Sequence, residues 1–235
     1  MSKATKLLAS GFLAGTLLTG GTTANAVEVT TGLDIRSAYV FRGVTFNDGF
    51  VAQPYIDIEG LPIEFGVWGN FDIEDYDGAV ESGQFSEIDI YASYSVPVDV
   101  VDLSIGYTEY TFPQGGGDAD REIGVALGLD AMVSPYIAAY YGLDGGIDKD
   151  IYLELGVGYE TEIADDLFLG LGALVGYLSP DEGDSGFHQY ELSASLTYDF
   201  ITAGVTYYGQ IDDDVLTDNA YDVEVVGTLG VAYTF

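Results

Sequence analysis

Hydrophobic positions in this chain recur at every second residue. Over 221–235, Tyr221, Val223, Val225, Leu229, Val231, Tyr233 and Phe235 share one parity, and Asp222, Glu224, Thr228, Gly230 and Thr234 the other. Successive strand side chains point to opposite faces, so this spacing predicts a strand with one apolar and one polar or small face. The pattern repeats upstream. Ile88, Ile90, Ala92, Tyr94 and Val96 share a face, as do Ile151, Leu153, Leu155 and Val157. Glu87, Asp89, Glu122, Glu154 and Glu191 fall on the opposite one. Alternation and turn signals together predict twelve strands, at 29–42, 51–59, 63–73, 85–96, 100–111, 120–130, 134–144, 150–163, 167–179, 187–199, 201–210 and 221–235.

The connections alternate in length. Gly60-Leu61-Pro62, Pro97-Val98-Asp99, Ala131-Met132-Val133, Ala164-Asp165-Asp166 and the Asp199-Phe200 corner are tight, whereas 43–50, 74–84, 112–119, 145–149, 180–186 and 211–220 are mostly longer and rich in Gly, Asp and Ser. Long loops on one rim and tight turns on the other characterise an all-β, transmembrane, antiparallel up-and-down barrel of the bacterial outer membrane. The even strand count places both termini on the tight-turn, periplasmic rim. A closed barrel of this width has too wide a lumen to fill with these side chains, so the apolar face is assigned to lipid and the polar face to water. Two packed sheets are the competing arrangement. Two sets of aromatics fit interfacial girdles. Tyr39, Phe41, Tyr107, Tyr177, Tyr190, Tyr207 and Tyr221 would lie toward the long-loop rim, and Tyr94, Tyr136, Tyr159, Tyr198, Phe200, Tyr233 and Phe235 toward the other. A last strand ending on Phe235 resembles the signal read by the barrel-assembly machinery, an expected partner beside outer-membrane lipid.

The N-terminus departs from this pattern. Lys3 and Lys6 precede an apolar stretch from Leu7 to Leu18, and Ala24-Asn25-Ala26 supplies a cleavage site, so 1–26 is predicted as a secretory signal peptide and 27–235 as the barrel of a Gram-negative bacterium. The chain of 235 residues is 48% hydrophobic yet carries a formal charge of −33. Without Lys3 and Lys6 it keeps four bases, Arg36, Arg42, Arg121 and Lys149, against 39 acids, a charge of −35. Nucleic-acid phosphates require Lys and Arg, so that class of partner is excluded; attraction of cations is favoured. Cysteine is absent, so no disulfide holds the fold.

No catalytic constellation emerges, and neither an enzyme activity nor a cofactor is expected. His188, beside Asp184 and Ser185, is read as an exposed loop histidine rather than part of a triad. Asp75, Asp77, Asp212, Asp213 and Asp214 gather oxygen ligands of the kind Ca²⁺ prefers, but the closing Glu of an EF-hand is missing and a hydrated acidic rim competes with a site. By parity the lumen-lining candidates are Arg36, Arg42, Asp57, Glu64, Trp68, Asp72, Glu87, Asp89, Glu122, Glu154, Glu191, Asp222 and Glu224. A symmetric first hairpin places Arg36 opposite Asp57 and Asp34 opposite Glu59, with Arg42 near Asp222 and Glu224. These bases serve either charge balance or solute selection, and Trp68 either packing or solute contact. Glu109 and Arg121 face outward as a cross-strand pair.

Ser37-Ala38-Tyr39-Val40-Phe41-Arg42-Gly43-Val44, Gln53-Pro54, Trp68-Gly69-Asn70 and Glu87-Ile88-Asp89-Ile90-Tyr91 resemble the corresponding stretches of the TorF-family porins. The resemblance implies an outer-membrane, porin-like role without naming a solute. The expectation is a passive channel for small solutes that prefers cations. The alternative is a non-conducting structural or adhesive barrel with ion-binding acidic loops.

Overall fold

The computed structural model describes residues 26–98 and 101–235. The expected signal peptide, apart from Ala26, lies outside the described residues. The chain forms β1 (Glu28–Arg36), a short hairpin of β2 (Tyr39–Phe41) and β3 (Val44–Asn47), then β4 (Val51–Glu59), β5 (Glu64–Asp72) and β6 (Phe85–Val96). β7 (Asp102–Thr111), β8 (Asp120–Gly128) and β9 (Ser134–Asp144) follow. After a 3-10 turn at Gly145–Ile147 come β10 (Ile151–Ala164), β11 (Leu167–Ser179), β12 (Gly186–Tyr198), β13 (Ile201–Gln210) and β14 (Val225–Thr234). All but β2 and β3 pair with their neighbours into one closed barrel, sealed where β1 meets β14. That is the expected twelve-stranded antiparallel barrel.

Parity decides the two faces. Leu155, Leu229, Ile90 and Ile105 point outward and are 56%, 56%, 55% and 51% exposed. In water so broad an apolar band would be an aggregation surface; against hydrocarbon it is a matched one. Glu109 and Arg121 also face outward, opposite each other in register, with Arg121 Nε 2.8 Å from Glu109 and its Nη1 2.8 Å from Asp144. Inward-facing tyrosines lie flat over glycines of the adjacent strand: a Cβ at Gly66 would strike the Tyr91 ring, and one at Gly156 the Tyr136 ring. Both rings then donate to lumenal carboxylates, Tyr91 to Asp57 and Tyr136 to Glu154. Tyr136 is therefore a lumenal residue, not part of a girdle, whereas Tyr94, Tyr198, Tyr233 and Phe235 are exposed outside.

The first and last strands differ from the expected bounds. The first strand was expected to run to Arg42; β1 stops at Arg36. Ser37 makes a last contact with the wall, its amide donating to Gly227 O at 3.0 Å and its hydroxyl accepting from Gly227 N at 2.9 Å. Beyond it, Ala38-Tyr39-Val40-Phe41 is apolar at both parities, which suits burial on both faces and not a wall with one wet side. Ala38, Tyr39 and Val40 are 1%, 5% and 2% exposed. Arg42 and Gly43, at φ 50 and 82, turn the chain back. The inserted hairpin changes the register, so Arg36 lies opposite Val51, Asp34 opposite Gln53, and Asp57 opposite Thr30. At the other end the last strand begins at Val225, because the amides before it are taken elsewhere. Asp222 N and Val223 N donate to Thr45 Oγ1 at 3.3 and 3.1 Å, and Tyr221 N to Thr217 O at 3.0 Å.

Candidate functional site within the lumen

The β2–β3 hairpin is folded into the long-loop mouth of the barrel. Its tip residue, Arg42, reaches the far wall. Nη1 and Nη2 donate to the two carboxylate oxygens of Glu122 on β8 at 3.0 and 2.9 Å. The same guanidinium lies over Phe41, Tyr140 on β9 and Tyr152 on β10, at 4.7, 4.6 and 4.2 Å from the ring centroids. His188 Nε2 on β12 donates to the Arg42 carbonyl at 3.0 Å. One residue that touches the inward faces of β8, β9, β10 and β12 can only lie inside the barrel. A guanidinium remains charged at any accessible pH, and here it meets a planar carboxylate in bidentate fashion while its faces stack on rings.

The rest of the hairpin is tied down along its length. Tyr39 Oη donates to Glu87 on β6 at 2.8 Å, and its ring packs against Trp68, 5.5 Å between centroids. Asn47 Nδ2 donates to Asp72 on β5 at 2.7 Å. Thr45 N donates to Ala220 O in the last long loop at 2.8 Å, so hairpin and loop are joined. Leu216 of that loop is 2% exposed and packs near Gly43.

Below and around the hairpin the lumen is strongly acidic. Asp57, Asp72, Glu87, Asp89, Glu122, Glu154 and Glu191 sit on inward positions, Asp72, Glu87, Asp89, Glu122, Glu154 and Glu191 being buried. Glu64 is inward near the tight-turn rim, opposite Ser93. Against them stand Arg42 and Arg36, and Arg36 donates to Tyr208 Oη at 3.0 Å rather than meeting Asp57. Asp222 and Glu224 are exposed in the loop before β14, so Arg42 meets Glu122 and not these two. Trp68 is 5% exposed and packs on the hairpin. His188, expected as an exposed loop residue, is 2% exposed. Tyr39 and Phe41, expected in a girdle, belong to the hairpin.

Among the weak calcium candidates, Asp75 and Asp77 join Asp48, with ligand oxygens all within 4.8 Å of one another. The Ala79 amide favours ionised Asp77, yet Asp75 and Asp48 beside it more than offset this and hold its carboxyl above the usual aspartate range. Asp212, Asp213 and Asp214 form no such group among the described residues; Asp212 Oδ1 accepts the Asp214 amide at 3.0 Å, a local turn.

A family model described as a bacterial protein of unknown function (Gcw_chp) matches residues 21–133. The match does not confirm the TorF family itself. No curated protein matches the chain. Among solved structures, one from work described as "Unveiling the Mechanism Behind the in-meso Crystallization of Membrane Proteins" is similar at a TM-score of 0.54 and 10% identity, over 88% of this chain and 84% of that one. Another, the NanC porin in a rhombohedral crystal form, is similar at a TM-score of 0.53 and 13% identity, over 88% of this chain and 99% of that one. At such identities the likeness is one of fold.

Proposed function

We propose that this chain is an outer-membrane channel for the passive diffusion of small solutes, with a preference for cations and with its long-loop mouth narrowed by the β2–β3 hairpin. The observation that carries the reading is a closed barrel whose outward side chains are apolar and whose lumen holds a large excess of carboxylates over guanidinium groups. A low-dielectric wall focuses the field of such charges, enriching cations and excluding anions. At physiological salt the Debye length is about 8 Å, so charges across the lumen act locally and the preference is moderate. The porin-like fold and the TorF-like residues of β4 to β6 support the same reading. It assigns the termini to the periplasmic rim, the outward band to lipid, and the strand ending at Phe235 to recognition by the assembly machinery. It needs no covalent chemistry, no cofactor and no nucleic acid.

A second reading, a non-conducting structural barrel, is favoured by one observation: the hairpin occupies the mouth and is anchored at both its tip and its flanks. Planar-bilayer recording of the purified protein separates the two. Discrete conductance steps support the channel; their absence from protein that fractionates with the outer membrane and migrates differently in SDS gels before and after boiling supports the structural barrel.

A further inference from the structure

Between the inner hairpin, the barrel wall and the last long loop lies a cavity of about 270 Å³. An apolar cavity of about 150 Å³ holds benzene, so this one suits a molecule roughly twice that size. Its walls are mostly apolar and aromatic, with Phe46 on the hairpin, Tyr110 and Phe112 at the end of β7, Leu178 on β11, and Val215 and Leu216 on the loop. Set into these walls are the carboxylates of Glu87, Asp120, Glu122 and Asp150.

The charges do not balance. Arg42 is the one cationic side chain among the lining residues, and both its terminal nitrogens, Nη1 and Nη2, donate to Glu122. The other three acids are held by neutral donors and face no further cationic side chain among the lining residues. Glu87 accepts the Tyr39 hydroxyl, Asp120 the Gly146 amide and Asp150 the Asp181 amide. The rings themselves favour a cation, as the guanidinium lying over three of them illustrates. A pocket of mainly apolar walls with a few convergent polar groups is the usual form of a small-molecule site. Here the apolar walls disfavour a hydrated metal ion or a polyol, and the carboxylates disfavour an anion.

We propose that this cavity binds one compact organic cation, an amine or quaternary ammonium carried on an apolar or aromatic body, with the cationic end toward Asp120 and Asp150. The site stands apart from the channel reading, since it concerns occupancy of the mouth and not passage through the lumen. The test is calorimetric titration of the full-length, detergent-folded barrel with benzyltrimethylammonium, benzyl methyl ether and phenylacetate. The ammonium is expected to bind saturably at one site per barrel, and the neutral ether and the anion at least about tenfold more weakly. Asp120→Asn with Asp150→Asn should weaken the ammonium about tenfold, whereas Asp165→Asn with Asp199→Asn, on the tight-turn rim, should leave it unchanged. Phe112→Ala, a partly exposed wall position, provides a second variant and should also weaken binding. Absence of saturable binding, equal binding of the ether, or indifference to both the Asp120/Asp150 and Phe112 changes would overturn the proposal. Bilayer conductance of the same preparation reports on the channel reading independently.

Discussion

Replacing Glu122 by Gln removes a charge while preserving shape, and should loosen the hairpin from the mouth of the barrel. Arg42 and Glu122 lie 2.9 Å apart with side chains 17% and 3% exposed, so the pair is largely desolvated. Breaking a buried pair by removing one partner costs about 3–5 kcal/mol, because the remaining charge stays out of water. Part of that cost is offset, since the rings at 4.2 to 4.7 Å still hold the guanidinium and the Gln carbonyl oxygen still accepts one bond. A net weakening of about 2–3 kcal/mol follows, on the order of 30- to 150-fold in the docking equilibrium. The ties from Tyr39 to Glu87, Asn47 to Asp72 and Thr45 to Ala220 persist, so the hairpin should flicker rather than leave permanently. Single-channel recording should show larger or additional open levels in Glu122→Gln. Arg42→Gln combined with Glu122→Gln should disturb the protein's heat resistance less than Glu122→Gln alone, since no buried charge is then left unpaired. If Glu122→Gln records with the same conductance and open fraction as the parent, the hairpin is not held by this pair or does not control the mouth, and the reasoning fails.

Leu155→Arg, at the middle of the outward band, should cost roughly 2–4 kcal/mol, while the inward Ser195→Arg, flanked by Gly170 and Gly204, should assemble nearly normally; equal loss of heat-modifiable barrel in both would refute the face assignment. Gly156 would be a poor control for that comparison because the Tyr136 ring covers it. Gly66→Val forces the Tyr91 ring off its seat and away from Asp57, and should lower stability by about 1–3 kcal/mol, read as the temperature at which the folded band is lost in SDS gels. Neutralising Glu87 and Asp89 together should reduce cation preference and Arg36→Gln should increase it, both read from reversal potentials at low salt; unchanged potentials in both variants would count against lumenal charge as the cause.

The wall of the barrel was legible because its two faces differ in polarity. Predicted strands at 51–59, 85–96, 134–144, 167–179 and 201–210 coincide with β4, β6, β9, β11 and β13, each of which must keep apolar residues on one side and polar or small ones on the other. The hairpin escaped the same reading because nothing local announces a contact across the lumen. Arg42 and Glu122 are 80 positions apart, and His188 is 146 positions from the carbonyl it binds. One signal was available: Ala38-Tyr39-Val40-Phe41 lacks alternation and is followed within two residues by Gly43, a turn-former. A both-sided apolar segment amid two-faced strands marks a place where the chain leaves the wall. The register error around Arg36 follows from that omission, because a hairpin drawn as symmetric assigns to the wall residues that belong to the lumen. Parity alone groups Glu87, Asp89, Glu122, Glu154 and Glu191 on one face, but their burial among tyrosines and the hairpin was not legible.

The central claim is that the charged lumen conducts and selects. The reversal potential of the purified barrel in a planar bilayer, under a tenfold gradient of KCl at low ionic strength, tests it most directly. A potential of the sign set by K⁺ permeating faster than Cl⁻, shrinking toward zero as both solutions are raised in salt, is the expected result. A potential of the opposite sign, or the absence of conductance in both the parent protein and Glu122→Gln, would contradict it.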